Sequence, residues 1–148
     1  MQKCTLALGC FWKPEENFKN NPGIIRTEVG YAGGNSANTT YEEVCEGNTG
    51  HAEVVRLTYD EKIISYEKIL DLFFHMHDPT QKDMQYPDVG TQYRSEIFYE
   101  NQEQNILAIK IKDEFNKKYN GKVVTNISKI KNYCRAEEYH QKYIEKKR

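Results

Sequence analysis

A cysteine followed by two large aromatic residues stands where the chain changes from an apolar run to a charged one. The tetrad is Gly9-Cys10-Phe11-Trp12, and the run Thr5–Leu8 before it is typical of a buried strand. The charged stretch after it is typical of a helix. Backbone N–H groups of a first helical turn favour a thiolate, so this position predicts a reactive Cys10 beside an apolar pocket wall. A small buried cysteine is the alternative interpretation of Cys10 taken alone.

A second set of residues that could take part in catalysis lies in the stretch Gly50-His51-Ala52-Glu53. The glycine-flanked loop places His51 and Glu53 at the start of an apolar strand, two residues apart and therefore on one side of it. A carboxyl group among apolar neighbours has a raised pKa and can donate a proton at neutral pH. Glu53 is therefore a candidate general acid, with an exposed carboxylate at a strand edge as the alternative.

Two other loop motifs carry no chemical role by themselves. The stretch Asp88–Ser95 closes a long loop, His77–Thr91, and leads into a strand. The stretch Gly30–Gly34 lacks the lysine and the following helix of a phosphate-binding loop, so we interpret it as a turn. The four histidines do not combine with the cysteines at zinc-finger spacings, and we expect no bound metal or cofactor.

Composition limits the class of protein. The chain has 148 residues, which fits one domain over residues 1–148. Its 21 Lys and Arg against 22 Asp and Glu do not indicate a nucleic-acid or membrane-surface protein. No apolar run approaches the ~20 residues of a membrane span, and the first is too short for a signal peptide. We therefore expect a cytoplasmic protein whose four cysteines are free thiols.

The elements that must position these groups alternate between strand and helix patterns. Strands are predicted at Cys4–Leu8, Ile24–Tyr31, Glu53–Tyr59, Glu96–Tyr99 and, more weakly, Val123–Ile127. In the second of these, alternation places Ile25, Thr27 and Val29 on one face. Helices are predicted from Pro14, from Ser65 to about His75, from Asn101, over the short stretch Tyr41–Cys45, and over Glu137–Lys147.

The order of the strong elements is β-α-β-β-α-β. This order predicts an α+β fold, a two-layer sandwich with a ferredoxin-like split β-α-β core, a mixed sheet and an extended C-terminal region. No repeat or second domain is evident in the sequence.

The motifs also stand in the order of a known family, from about residue 4 to residue 143. They are Gly9-Cys10-Phe11-Trp12, Gly30-Tyr31-Ala32-Gly33-Gly34, Thr40-Tyr41-Glu42-Glu43-Val44-Cys45, Gly50-His51-Ala52-Glu53, His77-Asp78-Pro79-Thr80, Asp88-Val89-Gly90-Thr91-Gln92-Tyr93-Arg94-Ser95 and Ala136-Glu137-Glu138-Tyr139-His140-Gln141. On these motifs the chain resembles the peptide methionine sulfoxide reductase A family.

The resemblance implies that a single catalytic domain reduces the S epimer of methionine sulfoxide, free or in proteins. It implies that Cys10 attacks the sulfoxide sulfur and becomes a sulfenic acid, while Glu53 protonates the sulfoxide oxygen. The other implied site residues surround the substrate. They are Tyr41 and Tyr93, which would hydrogen-bond the oxygen, Phe11 and Trp12, which would hold the S-methyl group, and Asp88, which would shape the site.

Regeneration of Cys10 needs a further thiol. Many family members carry recycling cysteines in a glycine-rich C-terminal tail, whereas the last cysteine here is Cys134. Cys134 stands where the family usually has an aromatic residue, and it is a candidate resolving thiol whose disulfide thioredoxin would reduce. A packing role for Cys134, with resolution by glutathione or glutaredoxin, is the alternative. Cys45 is expected to be buried and Cys4 to point away from the site, so both are weaker candidates.

Two other functional classes stay open. One is an acyl-transfer enzyme that uses Cys10 and His51. The other is a redox-sensing module that keeps a reactive thiol without turnover. No long exposed apolar stripe indicates a partner subunit, so we expect a monomer.

Overall fold

The computed structural model describes residues 1–148 as eight strands and five helices. The strands are β1 (Gln2–Leu8), β2 (Ile24–Ala32), β3 (Ala52–Tyr59), β4 (Met84–Gln85), β5 (Asp88–Val89), β6 (Ser95–Tyr99), β7 (Asn126–Lys129) and β8 (Cys134–Arg135). The helices are α1 (Trp12–Lys19), α2 (Tyr41–Cys45), α3 (Tyr66–Met76), α4 (Gln102–Lys118) and α5 (Tyr143–Lys147). None of the helices combines the length and apolar character needed to cross a membrane.

Six strands form one sheet in the order β7-β6-β1-β3-β2-β8. The inner four are antiparallel neighbours and, with α1 and α3, form the β-α-β-β-α-β unit predicted from the sequence. Strand β7 pairs in parallel with β6 and makes the sheet mixed. The predicted α+β class with a ferredoxin-like core is therefore confirmed.

One face of the sheet carries the main core. Leu6 on β1 pairs in register with Val55 on β3 and Ile97 on β6, so the three side chains point to the same side. Helices α1, α3 and α4 cover this side and contribute to the same buried cluster. Full burial of such side chains stabilises by roughly 1.5–3 kcal/mol each. Glu53 lies two residues before Val55 on β3. Because side chains two residues apart in a strand point to the same face, the Glu53 side chain lies on the core side of the sheet.

The opposite face is covered in part by the chain that follows β7. Ala7, Val54 and Phe98 belong to a smaller buried cluster there, and Ile130 and Tyr133 pack against it. Since β7 and β8 lie at opposite edges of the sheet, the chain between them crosses this face. This crossing is the extended C-terminal region that the sequence predicts.

The end of the chain is fastened to β2 and α1 by buried polar groups. The Gln141 amide pairs with the Val29 backbone as a strand would, since its Nε2 donates to the carbonyl at 2.9 Å and its Oε1 accepts from the N–H at 2.9 Å. The buried Glu15 carboxylate accepts from the Lys142 N–H at 2.7 Å and from the Thr27 hydroxyl at 2.8 Å. Charge-assisted hydrogen bonds of this kind are among the stronger ones.

One residue of β2 departs from the predicted alternation. Ile25 is expected to face inward with Thr27 and Val29, yet it is 56% exposed. The register of the β2–β3 pairing shifts by one residue between Ile24 and Arg26, as at a β-bulge. This shift turns Ile25 outward, while Thr27 and Val29 stay buried.

The chain after α4 differs more from its prediction. The predicted strand Val123–Ile127 is found at Asn126–Lys129, because parallel pairing with β6 begins at Asn126 whereas Val123 packs into the core. The predicted helix Glu137–Lys147 is interrupted, and only α5 is α-helical.

The interruption has a local cause. A 3-10 turn over Glu138–His140 is followed by extended Gln141 and by Lys142 in the left-handed region, with φ 55°. The hydrogen bonds of these two residues to Val29 and Glu15 outweigh the helix propensity of the stretch.

Replacing Gln141 with Ala leaves the buried Val29 N–H without its partner. We expect Gln141→Ala to lower the free energy of unfolding by about 2 kcal/mol, because an unpaired buried donor costs roughly 1–3 kcal/mol. Urea unfolding measures this change. Gln102→Ala, at the exposed start of α4, is the matched control, with an expected change below about 0.5 kcal/mol. Equal changes in the two variants would show that Gln141 does not fasten the segment.

Candidate active site

Cys10 lies at the corner between β1 and α1, as the sequence predicts. Gly9 makes this corner, because its φ of 96° is in the left-handed region and a Cβ there would come within 3.0 Å of the Gln85 side chain. Helix α1 begins at Trp12, two residues before the predicted start at Pro14. Cys10 is a free, half-buried thiol just ahead of the first helical turn.

The resting state of this thiol differs from the expectation. Burial raises the pKa of Cys10 to about 12, and the neighbouring Glu53 and Asp88 carboxyls add to the rise, while the Trp12 N–H lowers it. The first N–H of the helix region, on Phe11, donates to Glu53 and not to the sulfur. The predicted thiolate is therefore wrong for the resting site, because desolvation of the sulfur outweighs the effect of the helix N-terminus.

Glu53 lies beside this corner at the start of β3, and only 1% of it is exposed. Its Oε1 accepts a hydrogen bond from the Phe11 N–H at 3.2 Å, and its Oε2 is buried without a partner. Burial raises the pKa of Glu53 to about 8; the Phe11 N–H opposes the rise and the Asp88 carboxyl adds to it. Glu53 is mostly protonated at pH 7, which agrees with a general acid and excludes the exposed-edge alternative.

Two tyrosines border the same carboxyl group. Tyr41 begins α2, which Thr40 caps through a reciprocal capping box with Glu43. Tyr93 ends the 3-10 turn that follows β5. Burial raises the pKa of both phenols, and the nearby Glu53 carboxyl adds to the rise in each case. Both hydroxyls therefore stay protonated and can donate hydrogen bonds at neutral pH.

Asp88 reaches the site from a short hairpin within the predicted loop His77–Thr91. Strands β4 and β5 pair there, and the Gln85 side chain fixes the hairpin by bonding the Asp78 backbone at both N–H and carbonyl. The Asp88 carboxyl raises the pKa of both Cys10 and Glu53. Its negative charge therefore favours the protonated forms of the thiol and of the acid.

The aromatic wall beside Cys10 contains one residue that sequence reasoning did not single out. Phe11 is buried, and the Trp12 indole stacks on Tyr143 at 3.8 Å between ring centroids. The Trp12 Nε1–H donates to Nδ1 of His140 at 3.0 Å. The buried His140 ring also lies 5.2 Å from the Phe11 ring and 4.4 Å from the Tyr41 ring. His140 is far from Cys10 in the chain, so the sequence does not connect the two residues. Its membership of the motif Ala136–Gln141 is the one sequence signal that could have identified it.

Glu137 is a second residue whose role is not evident from the sequence alone. Its carboxylate accepts from the Tyr31 hydroxyl at 2.8 Å and from the Tyr41 N–H at 2.9 Å. The second bond satisfies an N-terminal amide of α2, a place where a negative charge is favourable. Glu137 therefore holds the start of α2, and with it Tyr41, against the sheet.

His51 does not take the role that an acyl-transfer enzyme requires. Its ring is buried, and Nε2 bonds the Ser36 carbonyl at 2.7 Å. Gly34 lies directly over the ring, where any Cβ would come within 2.1 Å of Nδ1. His51 therefore packs the glycine-rich loop, while Glu53 alone of this pair faces Cys10.

The other three cysteines occupy different surroundings. Cys4 is fully buried in the main core, which agrees with its expected position away from the site. Cys45 is exposed, so its predicted burial is wrong; it ends the short helix α2, whose buried side is provided by Val44. Cys134 is half-buried on β8, and its Sγ lies 3.6 Å from the Thr39 carbonyl oxygen.

The principal clefts of the protein surface lie away from Cys10 and Glu53. None of the four principal clefts is lined by Cys10 or Glu53, and a cleft of about 340 Å³ lies beside Arg56 and Tyr133 instead. No group of three or more His, Cys, Asp or Glu side chains converges on a metal position.

The raised pKa of Glu53 makes folding stability depend on pH. A carboxyl with a folded-state pKa of about 8, against an ordinary value of 4.5, destabilises the fold progressively as pH rises between these values. The variant Glu53→Gln has no proton to lose there. We expect it to be more stable than the parent by about 4 kcal/mol near pH 8, with the gain vanishing below about pH 4.

Thermal unfolding across this pH range measures the difference, with exposed Glu103→Gln as the matched control. A gain that does not change with pH would mean that the Glu53 pKa is not raised.

Comparison with known proteins identifies the family. The family described as peptide methionine sulfoxide reductase matches residues 2–148. The chain is 57% identical over 147 residues to a peptide methionine sulfoxide reductase MsrA of Pelagibacter ubique, which covers 99% of this chain and 100% of that relative.

Solved structures give the same result. Mxr1 from Saccharomyces cerevisiae in reduced form is similar with a TM-score of 0.95 and 40% identity, over 98% of this chain and 84% of that one. Mxr1 in complex with Trx2 is similar with a TM-score of 0.67 and 30% identity, over 96% of this chain and 84% of that one. The chain therefore belongs to the peptide methionine sulfoxide reductase family, whose reaction is the thiol-dependent reduction of methionine sulfoxide.

Proposed function

We propose that this protein is a peptide-methionine (S)-S-oxide reductase in which Cys10 is the nucleophile and Glu53 the general acid. The observation that carries the proposal is the pair itself. A buried carboxyl with a pKa raised to about 8 lies beside the half-buried thiol and is bonded to the amide of the next residue, Phe11. A protonated carboxyl is what a sulfoxide needs, because its oxygen leaves only after it is protonated.

In the proposed step, the Cys10 sulfur bonds to the sulfoxide sulfur while Glu53 gives its proton to the oxygen. The Cys10 thiol proton replaces the one that Glu53 has lost. The sulfur–oxygen bond of the substrate then breaks, the hydroxyl passes to Cys10, and methionine leaves. The products are methionine and a Cys10 sulfenic acid, so the sulfoxide is reduced by two electrons and the cysteine is oxidised by two.

Two sets of side chains support binding of the sulfoxide group. The Tyr41 and Tyr93 hydroxyls, both protonated and near Glu53, would donate hydrogen bonds to the oxygen. Phe11 and Trp12 would hold the S-methyl group, since they present the apolar wall next to the nucleophile. Asp88 would shape the site and keep Glu53 protonated.

Stereospecificity would follow from this asymmetry. The Tyr41 and Tyr93 hydroxyls would bind the oxygen and the Phe11 and Trp12 rings would hold the methyl group, so these two substituents of the sulfoxide sulfur would have different partners. The mirror-image epimer would place its methyl group against the tyrosines and its oxygen against the aromatic wall. Reductases of this kind act on one epimer each, and we assign the S epimer to this chain.

Residues 1–148 would act as one catalytic domain, because the site combines Cys10 near one end of the chain with His140 near the other. The reducing equivalents would come from thioredoxin, which is consistent with the solved complex of Mxr1 with Trx2, or from glutathione or glutaredoxin. Free thiols at all four cysteines are compatible with a monomer that works in the cytoplasm. No bound cofactor is required, since thiols supply both electrons.

Separated epimers of methionine sulfoxide test the reaction. With dithiothreitol as reductant, we expect methionine from the S epimer and at least a hundredfold slower release from the R epimer, by chromatographic assay of the product. Cys10→Ser is expected to form no methionine, because the sulfur that accepts the oxygen is gone. Methionine formation by Cys10→Ser would overturn the proposed nucleophile, and a wild-type protein inactive on both epimers would favour a redox-sensing module.

The pH dependence of kcat/KM tests the acid. Glu53 must be protonated, and its pKa of about 8 predicts that the rate falls as pH rises through that value. Glu53→Gln can donate a hydrogen bond but no proton, so we expect a rate lower by roughly 10²–10⁴-fold without the decline near pH 8. The exposed control Glu103→Gln is expected to keep the wild-type profile. The same decline in Glu53→Gln would assign it to another group.

A further inference from the structure

Cys45 lies close to the reactive corner, although the sequence gives no sign of it. The buried cluster that contains Phe11, the residue after Cys10, also contains Val44, the residue before Cys45. The two cysteines therefore flank members of one packed cluster. Disulfide formation requires this kind of proximity, since the two Cα atoms of a bridge lie about 4.4–6.8 Å apart.

The helix that carries Cys45 directs it toward the substrate site. Tyr41 and Cys45 are four residues apart in α2 and so share one side of the helix. After burial, the neighbouring Cys45 side chain is the main cause of the raised pKa of the Tyr41 phenol. The Cys45 side chain therefore lies next to the hydroxyl proposed to bind the sulfoxide oxygen. That oxygen is the atom that ends on Cys10.

Electrostatic interaction provides a separate sign of proximity. Cys45 is among the neighbouring groups that raise the pKa of Cys10, and it also raises that of Tyr93. Cys4 and Cys134 are not among the main groups that act on Cys10.

The two alternative cysteines are less suitably placed. Cys4 is fully buried within the main core, several residues along β1 from the site. Cys134 is on β8 at the outer edge of the sheet, where its Sγ lies 3.6 Å from the Thr39 carbonyl oxygen and 3.7 Å from that of Arg135. Cys45 is the exposed one, which also allows an external reductant to reach it.

Cys45 lies at the exposed end of α2, where few packed neighbours follow it. The first residue of α2 is fixed by Glu137, but the helix is only five residues long and Cys45 is its last. The chain then continues through exposed Glu46 to Gly47, which has φ 80° and no atom within 4 Å of its would-be Cβ. Small displacements of Cys45 and the exposed residues after it therefore meet little packing resistance, while Val44 stays packed in its cluster.

We propose that Cys45 is the resolving thiol, which forms a disulfide with Cys10 after each reduction. This inference rests on the proposed function, because it begins from the Cys10 sulfenic acid. The Cys45 sulfur attacks the Cys10 sulfur, the sulfur–oxygen bond breaks, and the hydroxide leaves as water with the Cys45 proton. A dithiol reductant of the thioredoxin type then reduces the Cys10–Cys45 disulfide by two electrons and returns both thiols.

A single turnover without external thiol tests the proposal. The reduced protein is mixed with one equivalent of methionine S-sulfoxide, the methionine formed is measured, and the remaining thiols are titrated. We expect the four thiols of the wild type to fall to two, and peptide mass spectrometry to find Cys10 joined to Cys45. Cys45→Ser is expected to form methionine in this first turnover but to retain a sulfenic acid that dimedone traps. Its steady-state rate with thioredoxin should fall by about tenfold or more.

Cys134→Ser is the matched control and is expected to form the same disulfide as the wild type. A Cys10–Cys134 disulfide, or a wild-type sulfenic acid that persists with three thiols remaining, would overturn the assignment of Cys45. Absence of methionine in the first turnover would instead contradict the proposed function. The two failures are therefore distinguishable in one experiment.

Discussion

The hydrogen bond from the Phe11 N–H to the Glu53 carboxyl is the interaction on which the site depends. It joins the start of α1 to the start of β3 and thereby holds the acid beside Cys10. It occupies Oε1 and leaves Oε2, buried without a partner, as the oxygen that carries the proton. Burial keeps this proton in place near neutral pH, because an ionised carboxylate would lose its hydration without a compensating cation.

The rest of the fold can be understood as support for that pair. The core face of the sheet supplies the desolvated environment of Glu53, and the hairpin that carries Asp88 adds a negative charge that favours its protonated form. The C-terminal segment passes around the sheet and returns to the site, where Gln141 bonds β2 and His140 bonds Trp12. The two ends of the chain thus build one site, with the acid from the middle of the chain between them.

The sequence predicts the frame of this molecule better than its site. Alternation and capping residues identify the four inner strands and α3, because those elements bury one face against a common core. The state of Cys10 is not predictable in this way, since a helix start favours a thiolate while the burial and charges that raise its pKa come from distant residues. The partners of His140 and Glu137 are likewise not predictable from local patterns, because the C-terminal segment reaches them only in the folded chain. The exposure of Cys45 depends in the same way on which side of α2 packs against the protein.

The protonation state of Glu53 in the resting protein is the central claim of this account. Infrared difference spectroscopy between the parent and Glu53→Gln isolates the absorption of this one carboxyl group and follows it with pH. The account predicts a protonated carboxyl band at pH 7 that disappears with a midpoint near 8. A carboxylate band already present at pH 6, with a midpoint close to the ordinary value of 4.5, would contradict it.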